Sequence, residues 1–158
     1  MSRILAVVGI VGAVALGSCV SQRATLNDGL AWSYQNHPGE GPKLAYGAPM
    51  SDNVVLMMTC DAGEGRTRLS LPGGSPEAGL VLASGRESTR FGGEAVASPG
   101  AGHLIETTAP LDAKPLARFQ RTGDLTLVDR GRSVRIDAEG SERADVKRFF
   151  KACGQRTA

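Results

Sequence analysis

Aromatic side chains are scarce in this chain of 158 residues: one Trp, two Tyr and four Phe, 4% of the total. Proteins that hold single-stranded nucleic acid stack its bases on aromatic rings, and those that grip phosphates carry a large basic excess. Here 18 basic residues face 16 acidic ones, a net charge of +2. Both features argue against a nucleic-acid partner. Histidine is limited to His37 and His103, and cysteine to Cys19, Cys60 and Cys153. No close Cys or His pair provides zinc-ligand spacing, so no metal and no cofactor is expected.

The short signatures of common catalysts are missing as well. Gly73-Gly74-Ser75-Pro76-Glu77 lacks the last glycine of a nucleophile elbow. No serine stands three residues before a lysine, and neither a H-E-x-x-H, a C-x-x-C nor a phosphate-cradling glycine loop with lysine occurs. No catalytic residue is therefore assigned.

Long apolar runs are absent except for one. Ile4 to Leu16 is an uncharged stretch of 13 residues, preceded by Arg3 as the only charge before Arg23. That length suits the apolar region of an export signal and falls short of the roughly 20 residues that span a bilayer. The run ends in Leu16-Gly17-Ser18-Cys19. This resembles the lipobox of bacterial lipoproteins: an aliphatic residue three before a cysteine, then two small residues. Gly17 departs from the Ala or Ser more usual there. The resemblance implies cleavage before Cys19 and acylation of its thiol, hence a membrane partner through the N-terminal lipid. It divides the chain into a signal peptide (1–18), a lipidated N-terminus with a polar tether (19–29) and one β-rich domain (30–158). Val20 and Ser21 follow the cysteine, so the Asp that retains some lipoproteins at the inner membrane is absent, which favours the outer membrane of the cell envelope. Two alternatives stand beside this reading. Cleavage after Ala15, with Ala13-Val14-Ala15 as the site, would release a soluble periplasmic or secreted protein. Extending the run to Val20 gives 17 residues, a short and glycine-diluted span.

If Cys19 carries lipid, Cys60 and Cys153 remain as an even pair, the arrangement expected of an exported protein. Asn53–Cys60 reads as a central strand with Val54, Leu56, Met58 and Cys60 on one face. Val146, Phe149, Phe150 and Cys153 fall at i, i+3, i+4 and i+7, the apolar stripe of a helix. Arg143, Lys147, Arg148 and Lys151 mostly point away from that stripe. Both cysteines therefore face the core, and a disulfide between them is expected.

The rest of the chain alternates short strand candidates with Gly/Pro turns, which predicts a mainly β fold of the α+β kind. The architecture expected is an antiparallel β-sandwich or partly open barrel, with a short helix near 112–121 and a C-terminal helix near 142–152. Strands are predicted at Leu30–Gln35, Lys43–Tyr46, Asn53–Cys60, Arg66–Leu71, Gly79–Ala83, Glu87–Phe91, His103–Thr107, Asp124–Asp129 and Arg132–Asp137. Gly92 to Gly102 reads as a loose connection. Asp112 is expected to cap the first helix, and Ser141 or Gly140 the second. The predicted core comprises Val54, Leu56, Met58, Leu69, Leu71, Leu80, Leu82, Leu125, Leu127, Val134, Ile136, Phe149 and Phe150.

Candidate ligand contacts come from charge and aromatic placement. Arg66 and Arg68 share one strand face, and Arg130, Arg132 and Arg135 gather at the last hairpin. Were those strands neighbours, they would form a patch for an anionic glycan, lipid headgroup or phosphate; interleaved Asp129 and Asp137 would instead make an ordinary solvated face. Trp32, sharing a face with Tyr34, could cover the core or offer a ligand platform.

The segments Tyr46-Gly47, Ser51-Asp52-Asn53 and Phe149-Phe150-Lys151-Ala152-Cys153 resemble those of small, cysteine-paired exported proteins of proteobacteria without assigned activity. That resemblance covers about a quarter of the expected mature chain and carries over no functional residue. The sequence thus points to a lipid-anchored envelope protein with a non-catalytic binding or structural accessory role, partnered by an envelope protein or an anionic glycan or lipid. Two other readings are a small periplasmic hydrolase using His37 or His103, and an anion-binding module using the arginine face.

Overall fold

Period-two alternation in the strand candidates becomes two sheets in the computed structural model, which describes residues 24–25, 29–73, 79–98, 102–129 and 131–154. The apolar run, Cys19, the Gly74–Pro76 break and Arg130 lie outside the described residues. The elements in chain order are β1 (Ala24–Thr25), β2 (Ala31–His37), β3 (Gly41–Gly47), β4 (Val54–Thr59), β5 (Arg66–Pro72), β6 (Leu80–Ser84), β7 (Glu87–Phe91), β8 (Glu94–Ser98), β9 (Gly102–Pro110), α1 (Lys114–Thr122), β10 (Thr126–Asp129), β11 (Arg132–Arg135) and α2 (Glu142–Gly154).

The protein is mainly antiparallel β, in a sandwich-like arrangement of two sheets with two helices. One sheet has the order β2-β3-β4-β5-β9-β8 and the other β1-β11-β10-β6-β7. The chain leaves the six-stranded sheet after β5 to build the β6–β7 hairpin of the second sheet. It then returns as the β8–β9 hairpin, with β9 beside β5. After α1, the β10–β11 hairpin joins β6, and α2 closes back over β2 and β3. Among the described strands only β1 pairs in parallel, with Ala24 opposite Val134 and Thr25 opposite Arg135.

Burial follows the alternation. On β5, Thr67, Leu69 and Leu71 are buried while Arg66 and Arg68 are exposed. β4 is central, between β3 and β5, as its apolar character implied. Its inner residues Leu56 and Met58 are fully buried, while Val54, expected in the core, is half-buried at the strand's entry. Val134 is likewise only partly buried. The core contains Leu44, Tyr46, Phe91, Ile105, Leu116 and Phe119 beyond the residues expected.

Aromatic rings concentrate where the six-stranded sheet meets the helices. Trp32 lies 5.3 Å from Tyr46 and 5.1 Å from Phe119, and Phe119 and Phe149 both contact Phe150. Five of the chain's seven aromatics thus form one contiguous cluster. The Trp32 indole N–H donates to the Ile136 carbonyl at 2.7 Å, a buried bond that ties β2 to the exit of β11. The disulfide links Cys60, at the end of β4, to Cys153 in α2, with the Cα atoms 5.8 Å apart. It closes 93 residues of chain and is worth roughly 4–5 kcal/mol in the loop-entropy model. The Gly63 N–H adds a bond to the Cys153 carbonyl at 3.0 Å, satisfying one of the open acceptors at the helix end.

Several local expectations need correction. Gly92 to Gly102 is not loose throughout: β8 forms along it because β9 supplies a ladder partner, with Val96 opposite Leu104. Asp112 does not cap α1. The cap position is Ala113, which has no side chain to bond the free backbone donors, and Pro115 in the first turn lowers their number. Gly123 ends that helix at φ +79°, its N–H returning to the Phe119 carbonyl at 2.8 Å. A Cβ there would also stand 2.7 Å from the Ala138 carbonyl, so glycine is required twice over. At the start of α2 the Glu142 carboxylate accepts the Glu139 N–H at 2.9 Å, half of a capping box set one or two residues before the expected caps Gly140 and Ser141. The turn after β2 is shorter than the sequence suggested, because pairing runs on to His37 and Gly41.

Candidate functional site

The strand arginines do not converge. Arg66 and Arg68 lie on β5 of the six-stranded sheet, Arg132 and Arg135 on β11 of the other. Their strands are not neighbours, so the single patch conditional on that adjacency does not form. Strand order decides this, and hairpins are free to join either sheet.

Each arginine pair also has acids around it. Arg66 and Arg68 line a shallow depression of about 180 Å³ beside the disulfide, together with Glu40, Asp61 and Glu64. Arg135 forms an ion pair with Asp137, and its Nε donates to Oδ2 at 2.7 Å. The second oxygen of Asp137 accepts the Leu125 N–H at 2.8 Å. These acids come from the β2–β3 and β4–β5 turns and, for Asp137, from two residues further along the same chain, rather than from positions facing the arginines across a ladder. Trp32 is 3% exposed, and its N–H and ring are engaged in the core. It therefore offers a ligand neither a stacking face nor a donor.

The histidines do not assemble a catalytic constellation. His37 ends β2, paired with Gly41, while His103 sits near the start of β9 opposite Ala97, at the other end of the sheet. Both are exposed, and neither imidazole has a side-chain hydrogen bond among the described residues. A general base works when a second group holds its tautomer and orientation, and none does so here. Among the described residues no group of three or more His, Cys, Asp or Glu side chains is placed to hold a metal ion. Burial pushes the Tyr46 phenol above its ordinary value of 10.0, with Glu142, Asp137 and Glu139 adding to the rise. Both effects disfavour the phenolate, and the ring is packed against Trp32 in the core.

A different cationic surface is present on the helices. α1 has no acidic residue and carries Lys114, Arg118 and Arg121, while α2 carries Arg143, Lys147, Arg148 and Lys151 against Glu142 and Asp145. Seven basic and two acidic side chains in the two helices give +5, against −3 for the remaining chain. Arg121, Arg143 and Lys147 line one shallow groove between the helices, which contains no carboxylate. Arg121 donates to the Ala117 carbonyl at 2.9 Å and Arg143 to the Ala138 carbonyl at 3.2 Å, so backbone dipoles rather than acids hold both guanidiniums. Lys151 continues the stripe one turn beyond Lys147. The two acids of α2 are engaged elsewhere, Glu142 with the Glu139 N–H and Asp145 with Arg148. Arg148 itself lies over the Tyr34 ring at 5.5 Å and points to a different face.

No short motif marks this surface in the sequence. Its signal was present as basic residues at i, i+4 and i+8 in α2, read there only as the solvent side of an amphipathic helix. Arg121 joins it through tertiary packing. Comparison with known proteins brings no match: no family model, no curated sequence and no solved structure aligns with this chain.

Proposed function

We propose that this chain is a lipid-anchored cell-envelope protein whose β-rich domain acts by binding or as a structural accessory, not by catalysis. The observation that carries the reading is the allocation of cysteines. The disulfide uses Cys60 and Cys153, and the third cysteine, Cys19, stands in the lipobox-like Leu16-Gly17-Ser18-Cys19 directly after the apolar run. A disulfide closing so long a loop suits an oxidising compartment outside the cytoplasm, in keeping with an export signal. Two or more acyl chains are needed for stable attachment, and lipoprotein processing supplies them. The positions of His37 and His103 lend no support to a hydrolase.

Blocking lipoprotein signal cleavage with globomycin in cells tests the proposal. Accumulation of the uncleaved precursor, with a Cys19 peptide of acylated mass in untreated cells, is the expected result. Processing that continues unchanged in the presence of the inhibitor rejects the anchor.

A further inference from the structure

We propose that the cationic face formed by Arg121, Arg143, Lys147 and Lys151 docks this domain flat onto an anionic phospholipid surface, the membrane to which Cys19 would tether it. The inference rests on the anchor reading above and adds a face and a lipid class to it. Three observations favour it. The groove between α1 and α2 is filled by side chains and has no room for a buried small ligand, so its cations face outward as point charges. Such a stripe matches an extended negative surface rather than a discrete anion. No carboxylate lines the groove, and Asp145 is ion-paired with Arg148; Glu142 adjoins Arg143, so the uncancelled field is centred on Arg121, Lys147 and Lys151. The tether, finally, is short. Four residues separate Cys19 from Ala24, five Cα steps and a reach of at most about 17 Å. β1 runs parallel to β11 with Ala24 opposite Val134, four residues or about 13 Å of strand before Ala138, whose carbonyl holds Arg143. That distance is within the tether's reach.

Lipid tethering and basic residues reinforce each other because the tether removes the cost of the encounter. Each Lys or Arg near the surface then adds attraction that falls off within a Debye length. The strand arginines lack this capacity, since acids lie beside them. The face commits the domain to lie with α1 and α2 toward the bilayer and the outer side of the six-stranded sheet toward the compartment.

The lysines allow a direct test: Lys147 and Lys151 are on the proposed face, and Lys43, on β3, is off it. The full-length protein is bound to phosphatidylcholine vesicles with and without one part in three of phosphatidylglycerol. Amine acylation rates are then read lysine by lysine by mass spectrometry. On the anionic vesicles Lys147 and Lys151 should react about fivefold more slowly, Lys43 should be unchanged, and high salt should abolish the difference. Equal rates at Lys43, Lys147 and Lys151, or protection of Lys43 instead, overturns the proposal. Protection of Lys147 and Lys151 by a soluble acidic polysaccharide but not by the vesicles overturns it as well, in favour of a glycan. Attachment to the neutral vesicles reports the anchor separately. Binding to anionic vesicles alone, with the expected protection, would reject the anchor and leave this face standing. A Lys147→Glu/Lys151→Glu variant, changed only at exposed positions, should keep its neutral-vesicle attachment and lose the gain from phosphatidylglycerol. Retention of that gain counts against the face.

Discussion

Cations borne on strands and cations borne on helices behave differently in this protein. Arg66 and Arg68 share a depression with Glu40, Asp61 and Glu64, and Arg135 is paired with Asp137. Arg121, Arg143 and Lys147 line a groove free of acids. The physical reason is the geometry of the two elements. Short strands end in tight turns, and the turn residues Glu40, Asp61 and Glu64 and the strand-exit residue Asp137 bring carboxylates close to the strand arginines. A helix places i, i+4 and i+8 on one face, and a face turned to solvent accumulates one sign at little cost. Ion pairs occur on both kinds of element, with Lys114–Glu87 and Arg148–Asp145 on the helices; what sets the helices apart is the Arg121–Arg143–Lys147 groove, which no acid lines.

That contrast depends first on α2 remaining in place. Cys153→Ser should remove roughly 4–5 kcal/mol of stability by the loop-entropy account, read as a lower urea midpoint than that of the oxidised wild type. Adding reductant to the wild type should reproduce most of the loss. If the midpoint barely moves, α2 is held by its aromatic packing and by the Gly63–Cys153 hydrogen bond instead, and the helical face does not need the staple.

A smaller loss is expected at the joint that sets α1 beside α2. Gly123→Ala imposes a left-handed conformation on an L-residue, about 1–2 kcal/mol, and presses a methyl against the Ala138 carbonyl. Because Ala138 also receives the Arg143 side chain, the variant should loosen the groove as it lowers the thermal midpoint. Unchanged stability would show that the loop can rearrange without cost.

The smallest effects separate the two kinds of cation most directly. Arg135→Ala breaks an ion pair that is half exposed on the arginine side, so it should cost no more than about 1 kcal/mol, and less at high salt. Lys147→Ala should stay within about 0.5 kcal/mol at any ionic strength, as measured by chemical denaturation. A larger cost at Lys147 than at Arg135 would mean that the helical stripe is structural, and the contrast would fail.

The parts of the fold that were legible are those written in neighbouring residues. Alternation in Arg66–Leu71 put the two arginines outside and Thr67, Leu69 and Leu71 inside, with Ser70 on the arginine side buried against that pattern. The apolar period of Val146–Cys153 held at every position. Both are properties of a single element. The β8 strand was not legible: Ala, Gly and Ser dominate that stretch, and it is a strand because β9 lies beside it. Asp112 looked like a cap because such residues cap helices in general, yet the helix begins two residues later. The Trp32–Tyr46–Phe119 cluster joins residues far apart in the chain, and nothing in their local sequence names a partner. The same holds for the candidate surface, since the stripe on α2 is a local pattern and Arg121 is a tertiary addition.

What the amino-acid order alone established was a β-rich chain with two helices, an even cysteine pair behind a lipobox-like segment, and an inventory of charges. Packing settled which strands are neighbours, which arginines are offset by acids, and which cations stand together with none nearby. The division follows from range. Periodicity, turn chemistry and helix stripes are decided over a few residues by backbone geometry. The sheet a hairpin joins, and the loop that sets α1 against α2, depend on burying surfaces contributed by segments scores of residues apart.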